Sequence, residues 1–555
     1  MKSLVDEGVQ TLFGYPGGAI MPVYDALYDY RDRLNHVLVR HEQAAAHAAE
    51  GYARVSGRVG VCLVTSGPGA TNTITGIADA MMDSTPIVVI TGQVPAQMLG
   101  SDAFQECDVV DITQPICKWA YQIRSAKDVA WAVSRAFYIA SSGRPGPVVL
   151  DFTKNAQIEM AEYVPANIKF IRSYIPVPET EKMSVIQAAA MINAAERPLV
   201  LVGQGVELGG AQEELRNFLE KAGLPAGCTL LGLSALPTDH PLNVGMLGMH
   251  GSLGSNKKTQ ECDLLIAIGM RFDDRITGKL ETYARQAKKI HFDIDPSEIN
   301  KNVKVDVAVL GDCKTTLPAV TELLEKKNHQ AWRDSFRVYD EQERNIVIEP
   351  QIHPAGGPIR MGEVVRKVSE MTENRAILVT DVGQNQMLAA RYFKFTQRRS
   401  IVTSGGMGTM GYGLPAAIGA TFGAPDRTVC LFIGDGGLQM TIEELGTIME
   451  QQSPVKIILL NNNYLGNVRQ WQQLFFQRRY SFTPMMNPDY EKVAEAYRIP
   501  SCTVTEREEL ETAIGRMLET PGAFLLQVAV MPEDNVLPMC CPGHDVDDML
   551  LTIEN

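Results

Sequence analysis

Asp435 and Asn462 are the residues whose types and spacing could together hold a metal-bound anion. Asp435 lies in Gly434-Asp435-Gly436-Gly437, directly after the apolar run 429–433. Asn462 lies in Asn461-Asn462-Asn463, directly after a second apolar run, 455–460. Glycines let backbone N–H groups approach phosphate oxygens, and a helix N-terminus adds positive potential. Mg²⁺ takes few protein oxygens and shares its other positions with phosphate and water. A carboxylate, an amide and a carbonyl at neighbouring strand ends therefore suit a diphosphate with Mg²⁺. An Asp-Gly turn alone is common; its distance from the asparagines, with a strand-helix-strand pattern between, makes the pair specific.

The elements that must position these residues can be read around them. Thr441 and Glu444 form a T-x-x-E pattern that predicts a helix start by a capping box, and Ser453-Pro454 stops that helix. In a parallel sheet the two strands end side by side, so Asp435 and Asn462 face one volume. A similar unit occurs earlier: strand 60–65, the turn Ser66-Gly67-Pro68-Gly69-Ala70, a helix, Ser84-Thr85-Pro86 and strand 87–90. Gly67 to Pro86 and Gly434 to Pro454 nearly match in span, as two related α/β domains in one chain would show.

Residues 1–165 alternate apolar strands with helical stretches. Within them the turn Pro16-Gly17-Gly18-Ala19 can admit a ligand close to the backbone, and His41-Glu42-Gln43-Ala44-Ala45-Ala46 opens a helix of small, closely packed residues. A linker near 155–180 precedes a second α/β block, 180–330. There Gly203-Gln204-Gly205 follows a strand but lacks the third glycine of a dinucleotide fingerprint, which leaves it weak. A polar, proline-bearing linker is expected near 328–358. The third block, 355–535, carries Gly383-Gln384 and a glycine-rich run, 403–413, too rich in glycine for a regular element and suited to backbone lying against a flat ligand. The tail, 536–555, reads as an acidic, solvated end.

Composition bounds the function. The chain has 555 residues, a net charge of −14 and 45% hydrophobic residues, a soluble globular profile that argues against non-specific nucleic-acid binding. The ten Cys include no C-x-x-C pair, so neither a zinc site nor a disulfide framework is indicated. The N-terminus lacks the apolar core of a signal peptide, and no run approaches a membrane span, so a cytoplasmic location is expected.

With YPGGA, RHEQAAAHAAEGYAR, TSGPGATN, SDAFQE, MLGMHG, RFDDR, GTMGYGLPAA, GDG and NNN in this order, the chain resembles the catalytic large subunit of acetohydroxyacid synthase (acetolactate synthase), a thiamine diphosphate (ThDP)-dependent family. The resemblance implies three doubly wound parallel-sheet domains: pyrimidine-binding, central FAD-binding and diphosphate-binding. It implies decarboxylation of pyruvate on ThDP and ligation of the hydroxyethyl group to pyruvate or 2-ketobutyrate, in branched-chain amino-acid biosynthesis. Glu42 would drive the cofactor's tautomer, Met410 would hold the cofactor bent, and Asp435, Asn462 and the Tyr464 carbonyl would bind Mg²⁺. Gly18, Gln384, Gly408, Gly436 and Gly437 would also touch ThDP. FAD, in a structural role, would meet Arg144, His250, Gly251, Arg271, Asp293, Gly311 and Asp312. Arg275 would hold the acceptor carboxylate and Trp471 its alkyl group, with Phe104, Gln105, Lys154, Met249 and Val468 around the substrate.

The family also implies a homo-oligomer, dimer or tetramer, whose active site lies between two chains, and a small regulatory subunit. The alternatives are a flavin-dependent pyruvate oxidase or a non-catalytic ThDP-binding paralogue. The absence of a His-His pair favours ligation over simple decarboxylation. Three positions depart from the family pattern: Asn385 for a usual His, Leu388 for Trp or Phe, and Asn467 for Met. The first helix also reads as clipped, because the glycine turn comes so soon after Met1.

Overall fold

The structure, a computed structural model, describes residues 1–553. Among these residues the chain builds three six-stranded parallel sheets in sequence. The first contains β1 (Thr11–Gly14), β2 (Asn35–Leu38), β3 (Gly60–Val64), β4 (Ile87–Gln93), β5 (Trp119–Ile123) and β6 (Val148–Thr153). The second contains β7 (Pro198–Val202), β8 (Ala226–Cys228), β9 (Asn243–Met246), β10 (Leu264–Ile268), β11 (Lys288–Asp293) and β12 (Val307–Leu310). The third contains β13 (Ile377–Thr380), β14 (Ile401–Val402), β15 (Val429–Gly434), β16 (Val455–Asn461), β17 (Ser501–Val504) and β18 (Phe524–Ala529). Strands such as β3, β7 and β10 are buried along their whole length, as helices on both faces of a parallel sheet require.

The first and third sheets share one topology. Their orders, β2-β1-β3-β4-β6-β5 and β14-β13-β15-β16-β18-β17, are the same when counted within each sheet. The two matching glycine-to-proline spans lie between the third and fourth strands of each. In the middle sheet, β12-β11-β10-β7-β8-β9, all strands stay parallel and the strand order reverses between β7 and β10. Such a switch point opens a crevice at the carboxyl ends of the strands.

Six helices matter for the site: α1 (Glu42–Ser56), α2 (Ile74–Met82), α3 (Gly413–Gly423), α4 (Asp435–Met440), α5 (Leu445–Gln451) and α6 (Gly466–Phe475). Helices α1 and α3, from the first and third domains, cross in backbone contact. A Cβ on Gly51 would overlap the Ala416 carbonyl oxygen, and one on Gly419 would overlap that of Ala48. The small residues Ala44, Ala45, Ala48 and Ala49 complete this seam, and one hydrophobic core runs from Phe13 and Val64 to Ile433 and Ile457.

Three expectations are corrected. Thr441 and Glu444 do not cap their own helix. A first helix, Asp435–Met440, precedes them and a second helical segment does start at Ile442, but its cap is not theirs: Thr441 Oγ1 donates to the Gly411 carbonyl. The Glu444 carboxylate instead accepts from the backbone N–H groups of Arg40 (2.8 Å) and His41 (3.0 Å), across the domain boundary. Second, much of the expected linker 328–358 is helical, from Gln330–Asp334 to Glu349–Ile352, because Trp332 and Phe336 bury on the middle domain. Third, the tail is not a solvated end. Met539–Cys540 pairs with Met549–Leu550, Cys540 N–H donates to the Met249 carbonyl, and Val546 is buried. Its acids are held by Thr282 and Lys257. The last two positions of that tail lie outside the described residues.

Candidate functional site

Asp435 begins α4 at the end of β15, and Asn462 follows β16, its hydrogen-bonded neighbour, with Gly434 beside Leu460. Both side chains are buried. Asn462 Oδ1 accepts from Tyr464 N–H at 3.1 Å, so the three oxygen-bearing groups expected to bind a cation share one tight turn and the strand end beside it. Burial pushes the Asp435 carboxyl up from its ordinary range, and a hydrogen bond from Asn487 opposes that shift. Gln384 reaches this corner as well, its Oε1 3.3 Å from Asn462 Nδ2. A Cβ on Gly436 would meet Leu465, Met485 and the Met410 methyl, and one on Gly437 would overlap Asp381. The donor set is hard oxygen throughout, and the glycines keep backbone N–H groups open, so these residues fit Mg²⁺ with a diphosphate.

Met410 therefore stands over Gly436. The loop that carries it is pinned at two ends. Asp381, buried after β13, accepts from the N–H groups of Gly411 (3.0 Å) and Gly413 (2.8 Å), and burial raises its carboxyl to about 6. On the other side Ser404 Oγ donates to Asp79 (2.7 Å), and the Gly405 and Gly406 amides donate to Asp83 (2.8 and 2.7 Å), which is also paired with Arg54 at 2.6 Å. Gly408, with φ +68 and open space where a Cβ would lie, sits between these anchors.

A cleft of 710 Å³ opens at the switch point between β7 and β10 and runs to the glycine-rich loop. Arg144, Met249, His250, Arg271, Arg275, Asp293, Asp312, Gly408 and Trp471 all line it. His250 is buried with Nδ1 unpartnered, and burial lowers it to about 4, so it is neutral near pH 7. Arg144 pairs with Glu298 (2.8 Å) and Asp295 (3.3 Å), and Asp312 caps the Cys313–Leu323 helix. Gly311 has φ +136, where a side chain would be strained, and the Gly251 carbonyl accepts from Arg391. An orphaned imidazole nitrogen, guanidinium groups and carboxylates at a switch point fit a dinucleotide such as FAD. Asn467 also faces the cleft, its Oδ1 unpartnered, whereas Asn385 turns inward to the carbonyls of Asp381 and Phe432, and Leu388 is core.

Of the remaining candidates, all but Val468 lie on the first domain. Glu42 opens α1, its carboxylate accepts from Asn72 Nδ2 at 2.9 Å, and a Cβ on Gly69 would lie 3.5 Å from its other oxygen. Gln105, at φ +62, backs onto Gly67 of the same turn. Phe104 beside it is 89% exposed, so little among the described residues covers it. Gly18 is in the first glycine turn, Lys154 opens the short helix Lys154–Ile158, and Val468 is exposed on α6. The candidates thus form two groups, one around Glu42 and one around Asp435 and the cleft. Among the described residues no side-chain hydrogen bond of Glu42 reaches the second group.

Residues 1–112, 185–320 and 381–528 match, in order, the N-terminal TPP binding, central and C-terminal TPP binding domains of thiamine pyrophosphate enzymes. The chain is 46% identical over 551 residues to the acetolactate synthase isozyme 2 large subunit of Escherichia coli (strain K12), covering 99% of this chain and 98% of the relative. It is 43% identical to a probable acetolactate synthase large subunit of Methanocaldococcus jannaschii, over 100% and 94% of the two chains. It is 42% identical to the chloroplastic acetolactate synthase 2 of Nicotiana tabacum, over 99% and 84%. The chain belongs to the acetolactate synthase large-subunit family.

For this acetolactate synthase family member, motif spacing missed Asp79, Asp83, Asp381 and Asn487. Three of them donate or accept across long stretches of chain, and Asp381 acts on amides of glycines read only as a ligand loop. One signal was available: buried acids next to glycine-rich turns call for N–H donors.

Proposed function

We propose that the chain, as an acetolactate synthase large subunit, joins two 2-keto acids. Pyruvate loses CO₂, and its two-carbon remainder is bonded to the keto carbon of a second pyruvate, giving 2-acetolactate, or of 2-ketobutyrate, giving 2-aceto-2-hydroxybutyrate. Bound ThDP supplies the carbon that accepts pyruvate and stores the electron pair left by CO₂. Asp435, Asn462 and the Tyr464 carbonyl would hold Mg²⁺, and the switch-point cleft would hold FAD as a structural group.

The chain's own groups then have definite tasks. Glu42 shares a proton with the aminopyrimidine ring. Met410 fills the space over Gly436 and would press on the bound cofactor from that side. Arg275 offers a planar fork to the acceptor carboxylate, while Trp471 and Met249 contact its alkyl group. Phe104, Gln105, Lys154 and Val468 border the entrance. His250 is held neutral by burial, so the cleft lacks an imidazolium that would protonate the two-carbon unit before the acceptor arrives. A second copy completes the site by bringing its Glu42 group to the Asp435 group, and a small regulatory subunit binds outside it.

The observation that carries this reading is the placement of Met410 over the Asp435-Gly436 turn, on a loop whose other face lines the cleft with Arg275 and Trp471. The test is a product assay with pyruvate, ThDP and Mg²⁺, with and without FAD. Acetolactate formed without oxygen uptake, and reduced about 100-fold or more in Glu42→Gln, is expected. Acetate or acetyl phosphate with peroxide would instead make the chain an oxidase, and bound ThDP without turnover even with a small subunit present would make it a scaffold.

A further inference from the structure

We propose that Asn487 is a positioning residue for the cation corner: its amide decides which oxygen of Asp435 faces the metal and fixes the gap between the ends of β15 and β16. This rests on the Mg²⁺–ThDP reading above.

The segment 483–487 runs along the turn after β16 as a strap. Leu465 N–H donates to the Thr483 carbonyl and Met485 N–H to the Asn463 carbonyl, both at 2.9 Å. At the strap's end Asn487 Nδ2 lies 2.6 Å from Asp435 Oδ2, 3.1 Å from Asn461 Oδ1 and 3.0 Å from Asn463 Oδ1. Three oxygens from two strand ends thus converge on one nitrogen. The other face of the amide meets a donor, because Gln439 Nε2 lies 2.8 Å from Asn487 Oδ1. The Tyr490 hydroxyl, which donates to the Asp435 carbonyl at 3.2 Å, stands beside it. These neighbours settle which end of the amide is nitrogen: reversed, its oxygen would face three oxygens and its nitrogen would face a donor.

Two consequences follow. Asp435 Oδ2 is committed to Asn487, which leaves Oδ1 for a cation. That is the one-oxygen contact Mg²⁺ prefers in its octahedral shell. Asn463, held at φ +57, is tied through its side chain to the same nitrogen, so the turn carrying Asn462 cannot drift from Asp435. Ligating carboxylates are commonly oriented by such outer hydrogen bonds, and their loss weakens metal binding about 10–100-fold.

The experiment is equilibrium dialysis of ThDP against the full chain over a Mg²⁺ titration, for wild type, Asn487→Ala and Asn487→Leu. The Mg²⁺ concentration for half-maximal ThDP retention should rise about 10–100-fold in both variants. The pyruvate KM at saturating Mg²⁺ and ThDP should stay within about twofold of wild type, since substrate contacts are untouched. Asn487→Leu keeps the side chain's bulk and loses the donor without adding a charge beside Asp435, so it decides the matter if the alanine variant folds poorly by circular dichroism. A wild-type Mg²⁺ dependence in Asn487→Leu would overturn the proposal while leaving the cofactor reading intact. ThDP retention by the wild type that is indifferent to Mg²⁺ would overturn both.

Discussion

The indole of Trp471 stands on the cleft wall with its ring centroid 5.6 Å from that of Phe475, in an edge-on contact that fixes its plane. Its neighbours in α6 anchor it: Gln470 is buried, with its Oε1 accepting from Val536 N–H at 2.8 Å and from Gln384 at 3.0 Å. In the proposed reading this ring would gain contact area from each extra methylene of the acceptor, a difference worth about 10–200-fold. Trp471→Leu should therefore lower the ratio of aceto-hydroxybutyrate to acetolactate about tenfold when pyruvate and 2-ketobutyrate compete, with a smaller loss of rate on pyruvate alone. Product analysis of the mixture reads it directly. At this scale the sequence was most legible where a residue ends a strand. Asp435 and Asn462 could be paired because parallel strands bring their ends together. Asn487 could not, since its bond to Asp435 spans 52 positions through a strap with no periodic pattern.

Helix and strand positions were legible from apolar runs and glycine turns, but the partners of charged side chains were not. Glu444 shows why. Its spacing from Thr441 satisfies a local cap, and a helical turn does start at Ile442, yet neither side chain caps it: Thr441 turns to the Gly411 carbonyl and Glu444 to the first domain. The carboxylate instead holds the turn between β2 and α1, directly before Glu42, and burial lifts it to about 7. A carboxyl raised on folding binds more protons in the folded state than in the unfolded one. Its contribution is therefore full below the unfolded value, near 4.5, and is lost as pH rises through about 7. Glu444→Gln keeps an acceptor without the charge. Its unfolding midpoint relative to wild type should rise between pH 4.5 and 8, by about 1–3 °C, in thermal scans at matched ionic strength. The α1–α3 seam gives a second test. Gly419→Val drives a side chain into the Ala48 backbone and should cost about 3 kcal/mol or more, seen as a large fall in midpoint, whereas Gly356→Ala, with nothing within 4 Å of its Cβ, should be neutral.

Across the whole molecule, the repeated sheet order places one half of the chemistry on each of two related domains, and the backbone contact between α1 and α3 locks those domains together within the chain. Glu42, Gln105 and the 89% exposed Phe104 lie on one half, and Asp435, Asn462 and Met410 on the other. In the proposed dimer a two-fold related copy would satisfy both at once, because an isologous dimer presents each half to the other's complement. Mixing inactive variants distinguishes this arrangement from a site within one chain. In a dimer of Glu42→Gln with Asp435→Asn, one site receives both substitutions and the other receives neither. Random pairing of the two chains should then restore about a quarter of the wild-type sites, while each variant alone stays inactive. Co-expression with two affinity tags, followed by purification on both, should raise the recovered specific activity to about half of wild type, since every retained dimer is then a hybrid. A site built within one chain would give no recovery at any mixing ratio, because every chain carries one substitution.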